Sequence, residues 1–80
     1  MEFKEKLKYL RKEKNMTQDA LAQEIHVSRS TIAKWEVGLG LPQQDSIENL
    51  CKIFDISEED LISSNYKEET LISKNLKIHS

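Results

Sequence analysis

Apolar residues recur along this chain at helical spacing, in short blocks divided by polar caps. Phe3, Leu7 and Leu10 fall at i, i+4 and i+7. That spacing predicts one amphipathic helix, roughly Glu2 to Lys14, with lysine, glutamate and arginine on its wet face. Thr17 is a good N-cap, and Asp19 places a negative charge in the first turn behind it. Ala20, Leu21, Ala22 and Ile25 give a short second helix, Gln18 to Ile25, its buried side. Ser28 offers another N-cap only three residues later. Ile32 and Trp35 mark the inward side of a third helix, Arg29 to Val37, which Gly38 is placed to stop.

Residues 38–44 predict a loop, punctuated by Gly38, Gly40 and Pro42. Beyond it Asp45 or Ser46 is suited to cap a fourth helix, whose stripe is Ile47, Leu50, Cys51 and Phe54. Ser57 followed by Asp60 resembles a capping box opening a short fifth helix through Leu61 and Ile62. From residue 63 on, Leu71, Ile72, Leu76 and Ile78 follow no single period. The expected architecture is all-α: five helices around one core over residues 1–63, then a C-terminal extension over 64–80.

Eighty residues suffice for one domain with a thin core. The lone Cys51 excludes a disulfide within the chain and suits a reducing, cytoplasmic setting. No apolar run approaches the ~18 residues of a membrane span. The net charge of −2 looks unfavourable for nucleic acid, but its distribution is uneven. Residues 1–14 carry six basic and three acidic side chains, whereas residues 41–62 carry one basic and six acidic. An acidic C-terminal face can be kept away from phosphate while another face binds it.

The informative segment is Gln18 to Val37. Two short helices lie so close in sequence that the chain must turn sharply between them. A crossing that close needs a small residue, which Ala22 supplies. The turn needs a residue tolerant of positive φ, and His26 stands there; a left-handed His costs on the order of 1 kcal/mol. Leu21, Ile25, Val27, Ile32 and Trp35 supply the apolar lock. With these features, "TQDALAQEIHVSRSTIAKWEVG" resembles the helix-turn-helix of the lambdoid phage repressor and Cro family, also called the Xre family, and the resemblance spans about residues 3–62.

The resemblance implies a sequence-specific regulator of transcription, and a repressor in particular, whose third helix enters the DNA major groove. On that reading Arg29, Ser30 and Lys34 contact bases. Arg29 is the sharpest candidate, because a guanidinium fork matches the O6 and N7 of guanine. Thr17, Gln18, Ser28, Thr31 and Gln43 are then the candidate phosphate contacts, with Gln18 helped by the start of the second helix. The loop "GLGLPQQ" carries no charge where relatives often carry basic residues, so a monomer is expected to bind modestly with a shallow salt slope. Relatives bind as two-fold dimers, which implies a homodimer on a palindromic operator. Leu61, Ile62, Tyr66, Leu71 and Ile72 are the candidate dimer contacts.

Other residues have plainer readings. An arginine of the first helix pairs with a glutamate ending the third in this family, so Arg11 and Glu36 are assigned to packing. Trp35 and Cys51 are assigned to the core. His26 and His79 fit no metal spacing, and no cofactor or metal is expected. The lysines of residues 4–14 are read as a solvated face, with Lys12 and Lys14 the exceptions closest to the second helix. No nucleophile–base pair or glycine-rich phosphate loop occurs, so no enzyme is read here. Three alternatives stay open: the antitoxin of a toxin–antitoxin pair whose tail wraps a protein partner, a protein-interaction module on a helix-turn-helix scaffold, and the N-terminal piece of a longer regulator.

Overall fold

The computed structural model describes residues 1–63. They form five helices: α1 (Phe3–Glu13), α2 (Gln18–Glu24), α3 (Arg29–Glu36), α4 (Gln44–Phe54) and α5 (Glu58–Ile62). Among the described residues there is no strand. The first three helices end one residue short of their expected limits, where the closing residues Lys14, Ile25 and Val37 leave helical geometry. No helix of the described residues is long and apolar enough to cross a membrane.

One core unites the helices. Leu7, Leu21, Ile32, Leu50 and Leu61 are wholly enclosed, one from each helix. Phe3, Leu10, Ala22, Ile25, Trp35, Phe54 and Ile56 complete the cluster. Burying a side chain of this size contributes about 1.5–3 kcal/mol, so one enclosed residue per helix ties every element to the same centre. α1 packs on α3 and α5, α2 on α3, and α4 on α5. Ile47 and Cys51 are only partly buried and pack at the edge of this core, so the α4 stripe is narrower than its sequence suggests.

Caps explain where most helices begin. The hydroxyl oxygens of Thr17, Ser28 and Ser57 each accept from a backbone N–H three residues on, at 3.0, 3.2 and 3.0 Å. Helix α4 departs from expectation. Neither Asp45 nor Ser46 caps it; both lie inside it, and Gln43 holds the N-cap position without a side-chain cap. The Asp45 carboxylate instead accepts from the Ser46 backbone N–H at 2.8 Å. The preceding Pro42 is buried, which anchors the loop directly before α4.

The lysine reading of α1 also needs one correction. Lys6 is wholly buried. Its Nζ donates to the backbone carbonyl oxygens of Asp60, at 2.6 Å, and Ser63. The terminal carbonyls of a helix lack intrahelical partners, and a cation beside them is favoured by the helix dipole. Lys6 thereby closes α5 from across the core. Desolvation holds its ammonium below the ordinary 10.5, against the opposing pull of Asp60.

Candidate nucleic-acid interface

The turn between α2 and α3 takes the conformation its sequence demands. His26 has φ 62°, in the left-handed region. The next backbone N–H, from Val27, donates to the Ala22 carbonyl at 2.9 Å. Ala22 itself is 1% exposed. A larger side chain there would push α3 off α2. Leu21, Ile25, Ile32 and Trp35 are buried and Val27 is partly buried, so the two helices form one locked unit.

Locking one side of α3 leaves the other free. Ile32 and Trp35 face the core while Arg29, Ser30 and Lys34 are exposed. Arg29 is the first residue of the helix, and Lys34 lies in its last turn. The three base-contact candidates therefore share the solvent side of one rigid helix. Ser30 is not independent of the cap. Its hydroxyl lies 3.0 Å from the Ser28 hydroxyl, which lies 2.9 Å from that of Thr31. Three hydroxyls thus form one exposed cluster at the start of α3.

The phosphate-contact candidates divide by their existing bonds. Thr17 and Ser28 each hold a helix N-terminus with the side-chain oxygen expected to meet phosphate. Thr31 is half-buried and Gln43 exposed. Both line a surface hollow together with Val27, Trp35 and Leu41. Gln18 is half-buried and its amide nitrogen donates to Glu36 Oε1 at 3.2 Å.

That glutamate is the centre of a network. Arg11 Nε donates to Glu36 Oε2 at 2.7 Å and Arg11 Nη2 to Oε1 at 3.0 Å. The two side chains are 10% and 2% exposed. Arg11 Nη1 donates to the Met16 carbonyl at 2.8 Å, just before α2. The hydrogen bond to Glu36 holds the Arg11 guanidinium above its ordinary range despite burial. The expected Arg11–Glu36 pairing is present, and it reaches further than packing: it joins α1, the α1–α2 turn, the first residue of α2 and the last of α3.

Of the dimer candidates, Leu61 is wholly enclosed in its own core, which leaves it no surface for a partner. Ile62 is half-buried. Tyr66, Leu71 and Ile72 lie outside the described residues. Sequence periodicity missed a further patch. Val37, Leu39 and Leu41 are 63%, 73% and 69% exposed in the loop after α3. Gly38 makes this loop possible: its φ is +84°, and a Cβ there would meet Lys4 Cδ at 3.1 Å. Among the described residues, no group of three His, Cys, Asp or Glu side chains gathers to hold a metal.

Comparison with known proteins agrees with this architecture. The helix-turn-helix family matches residues 7–61. The HTH-type transcriptional activator BcrR of Enterococcus faecalis is 46% identical over 63 residues, which are 79% of this chain and 31% of that protein. The cryptic phage CTXphi transcriptional repressor RstR of Vibrio cholerae is 31% identical over 75 residues, 94% of this chain and 65% of the repressor. The chain thus spans about a third of the activator and just under two thirds of the repressor. Among solved structures, the P22 c2 repressor in complex with a synthetic operator superposes with a TM-score of 0.76 at 25% identity, covering 81% of this chain and 98% of that one. The SOS-response transcriptional repressor LexA of Eubacterium rectale gives 0.73 at 30% identity, covering 79% and 67%. With the matched region running from α1 into α5 and its turn, caps and crossing residue in place, the chain belongs to the helix-turn-helix family in its phage repressor and Cro form.

Proposed function

We propose that this chain binds double-stranded DNA through the major groove and regulates transcription, acting by binding rather than by catalysis in the cytoplasm. The observation that carries the reading is the exposed row of Arg29, Ser30 and Lys34 on a helix whose opposite side is locked into the core. A rigid helix presenting an arginine fork and a lysine can enter the groove without reorganising. Arg29, Ser30 and Lys34 read bases. Thr17, Gln18, Ser28, Thr31 and Gln43 touch phosphate and set the register. The relatives include one activator and one repressor, which leaves both signs of regulation within the family's reach. Repression is the sign we assign, following the operator-bound structural neighbour.

A single α3 covers few base pairs, so the working form is a homodimer on a palindromic operator with half-sites about 34 Å apart. Ile62 and the tail residues Tyr66, Leu71 and Ile72 are its contacts. Replacing Leu71 and Ile72 by Asp shifts the mass in solution from dimer to monomer; an unchanged mass removes them from the interface.

Selection of bound duplexes from a random pool tests the function. Wild type enriches a palindrome, and Arg29→Ala loses one defined base preference while keeping the fold. A second reading, a protein-interaction module, is favoured by the exposed Val37, Leu39 and Leu41. A folded wild type that enriches no duplex selects it.

A further inference from the structure

We infer that Glu36, neutralised by Arg11, is a positioning residue that sets the Gln18 amide with its nitrogen ready for a DNA phosphate. The inference rests on the DNA-binding reading above and assigns the ion pair a part in it.

A glutamine amide can present either its oxygen or its nitrogen, and the two ends have opposite effects on an anion. An ionised carboxylate only accepts hydrogen bonds. Gln18 lies against Glu36 Oε1, at 3.2 Å from its amide nitrogen. The contact therefore selects one orientation of the amide: nitrogen toward the carboxylate, oxygen turned from it. The trigonal nitrogen carries a second N–H, directed away from the first. Gln18 is half-buried, so its side chain keeps an open side. A donor is thus offered where the reversed amide would set an oxygen against phosphate.

A bare carboxylate behind that donor would oppose the approach of phosphate. Here its charge is answered by a two-point contact from Arg11, at 2.7 and 3.0 Å. Arg11 also holds the Met16 carbonyl at 2.8 Å, which fixes the chain two residues before Gln18. Both the backbone approach and the side-chain orientation of Gln18 thereby depend on the same pair. Glutamine loses much rotamer freedom when it is ordered. A side chain ordered before binding loses less of it on contact, and the affinity gains accordingly.

A substitution cycle on the full chain tests this. The probe is a mixed-sequence duplex of about two helical turns, because a phosphate contact needs no particular sequence. In wild type, Gln18→Ala weakens binding about tenfold, as expected for a hydrogen bond to a charged group. The salt slope stays unchanged, because the amide carries no charge. The same substitution is then made in an Arg11→Met/Glu36→Leu background, where apolar groups of similar volume replace the ion pair. There Gln18→Ala weakens binding less than about twofold. An equal factor in both backgrounds overturns the inference, because a merely structural pair would change stability and leave the Gln18 factor alone.

If the double replacement does not fold, the wild-type side-chain amide decides. One Gln18 Nε2 proton is protected from exchange in the free protein, and the other shifts on adding the duplex. Two equivalent, unprotected protons overturn the inference. A folded wild type that binds no duplex fails the DNA-binding reading and this inference with it. Wild-type binding with an unaltered Gln18 factor fails the inference alone.

Discussion

Lys6 Nζ lies 2.6 Å from the backbone carbonyl oxygen of Asp60, and the lysine side chain between them is wholly buried. An ammonium from α1 thus closes α5. A second polar tie between elements distant in sequence is the Arg11–Glu36–Gln18 network.

Replacing Lys6 by Met keeps most of the stem and removes the donor. The orphaned carbonyls should cost about 1–3 kcal/mol. Thermal unfolding should show a melting temperature lower by roughly 4–8 °C per kcal/mol. The pH dependence has a definite sign. Burial depresses the Lys6 ammonium below 10.5, so just below that pH the unfolded chain holds the proton more tightly than the fold does. Unfolding free energy therefore rises with pH through that window. Denaturant titrations across it should show the rise in wild type and its loss in Lys6→Met.

Arg11 and Glu36 should behave as a unit. Arg11→Met alone leaves a carboxylate that is 2% exposed without its cation. Such a break costs about 3–5 kcal/mol, whereas replacing both partners by apolar residues is often near neutral. Urea unfolding of the two single variants and the double variant measures the difference. Additive losses would show that the two charges do not depend on each other.

His26 occupies a left-handed position at φ 62° without a glycine's freedom. His26→Gly should stabilise the fold by about 0.5–1 kcal/mol, the strain relieved less the extra entropy of the unfolded chain. The imidazole is exposed, so no packing is lost with it. A melting temperature that falls would mean the ring makes a contribution its exposure does not suggest.

Arg29 and Lys34 should each set one base preference. Arg29→Ala should leave thermal stability unchanged and cost about 1–3 kcal/mol of discrimination at one base position. Lys34→Ala should likewise cost discrimination at a base position of its own. Titrations of matched and mismatched duplexes at several salt concentrations measure both. A Lys34→Ala protein that binds all sequences more weakly alike, with a salt slope lower by about one, would remove that lysine from the readers.

What the sequence made legible was local. Thr17, Ser28 and Ser57 announce helix starts because a cap acts within three residues of itself, and His26 marks the turn because two helices leave no room for a wider one. Lys6 shows the limit. It stands three residues after Phe3 and four before Leu10, on the apolar stripe itself, yet a lysine among lysines and glutamates looks solvated. Only the arrival of α5 at that stripe, more than fifty residues later in the chain, supplies the carbonyls that let it be buried. Gln18 meeting Glu36 is hidden for the same reason, since the contact depends on how α2 and α3 cross. The start of α4 differs because Asp45 and Ser46 are good caps in isolation, while the chain after the buried Pro42 begins its helix two to three residues sooner.

The division of α3 into a locked side and an open side has an evolutionary consequence. Ile32 and Trp35 hold the helix whatever stands at Arg29, Ser30 and Lys34. Exposed positions away from caps and buried contacts tolerate substitution within about 0.5 kcal/mol. If these side chains read bases as proposed, lineages can exchange the recognised address by changing two or three of them, with the fold as a constant socket. Ser30 is the least free of the three, because its hydroxyl is joined to the cap at Ser28. Drift in recognition should run first through Arg29 and Lys34.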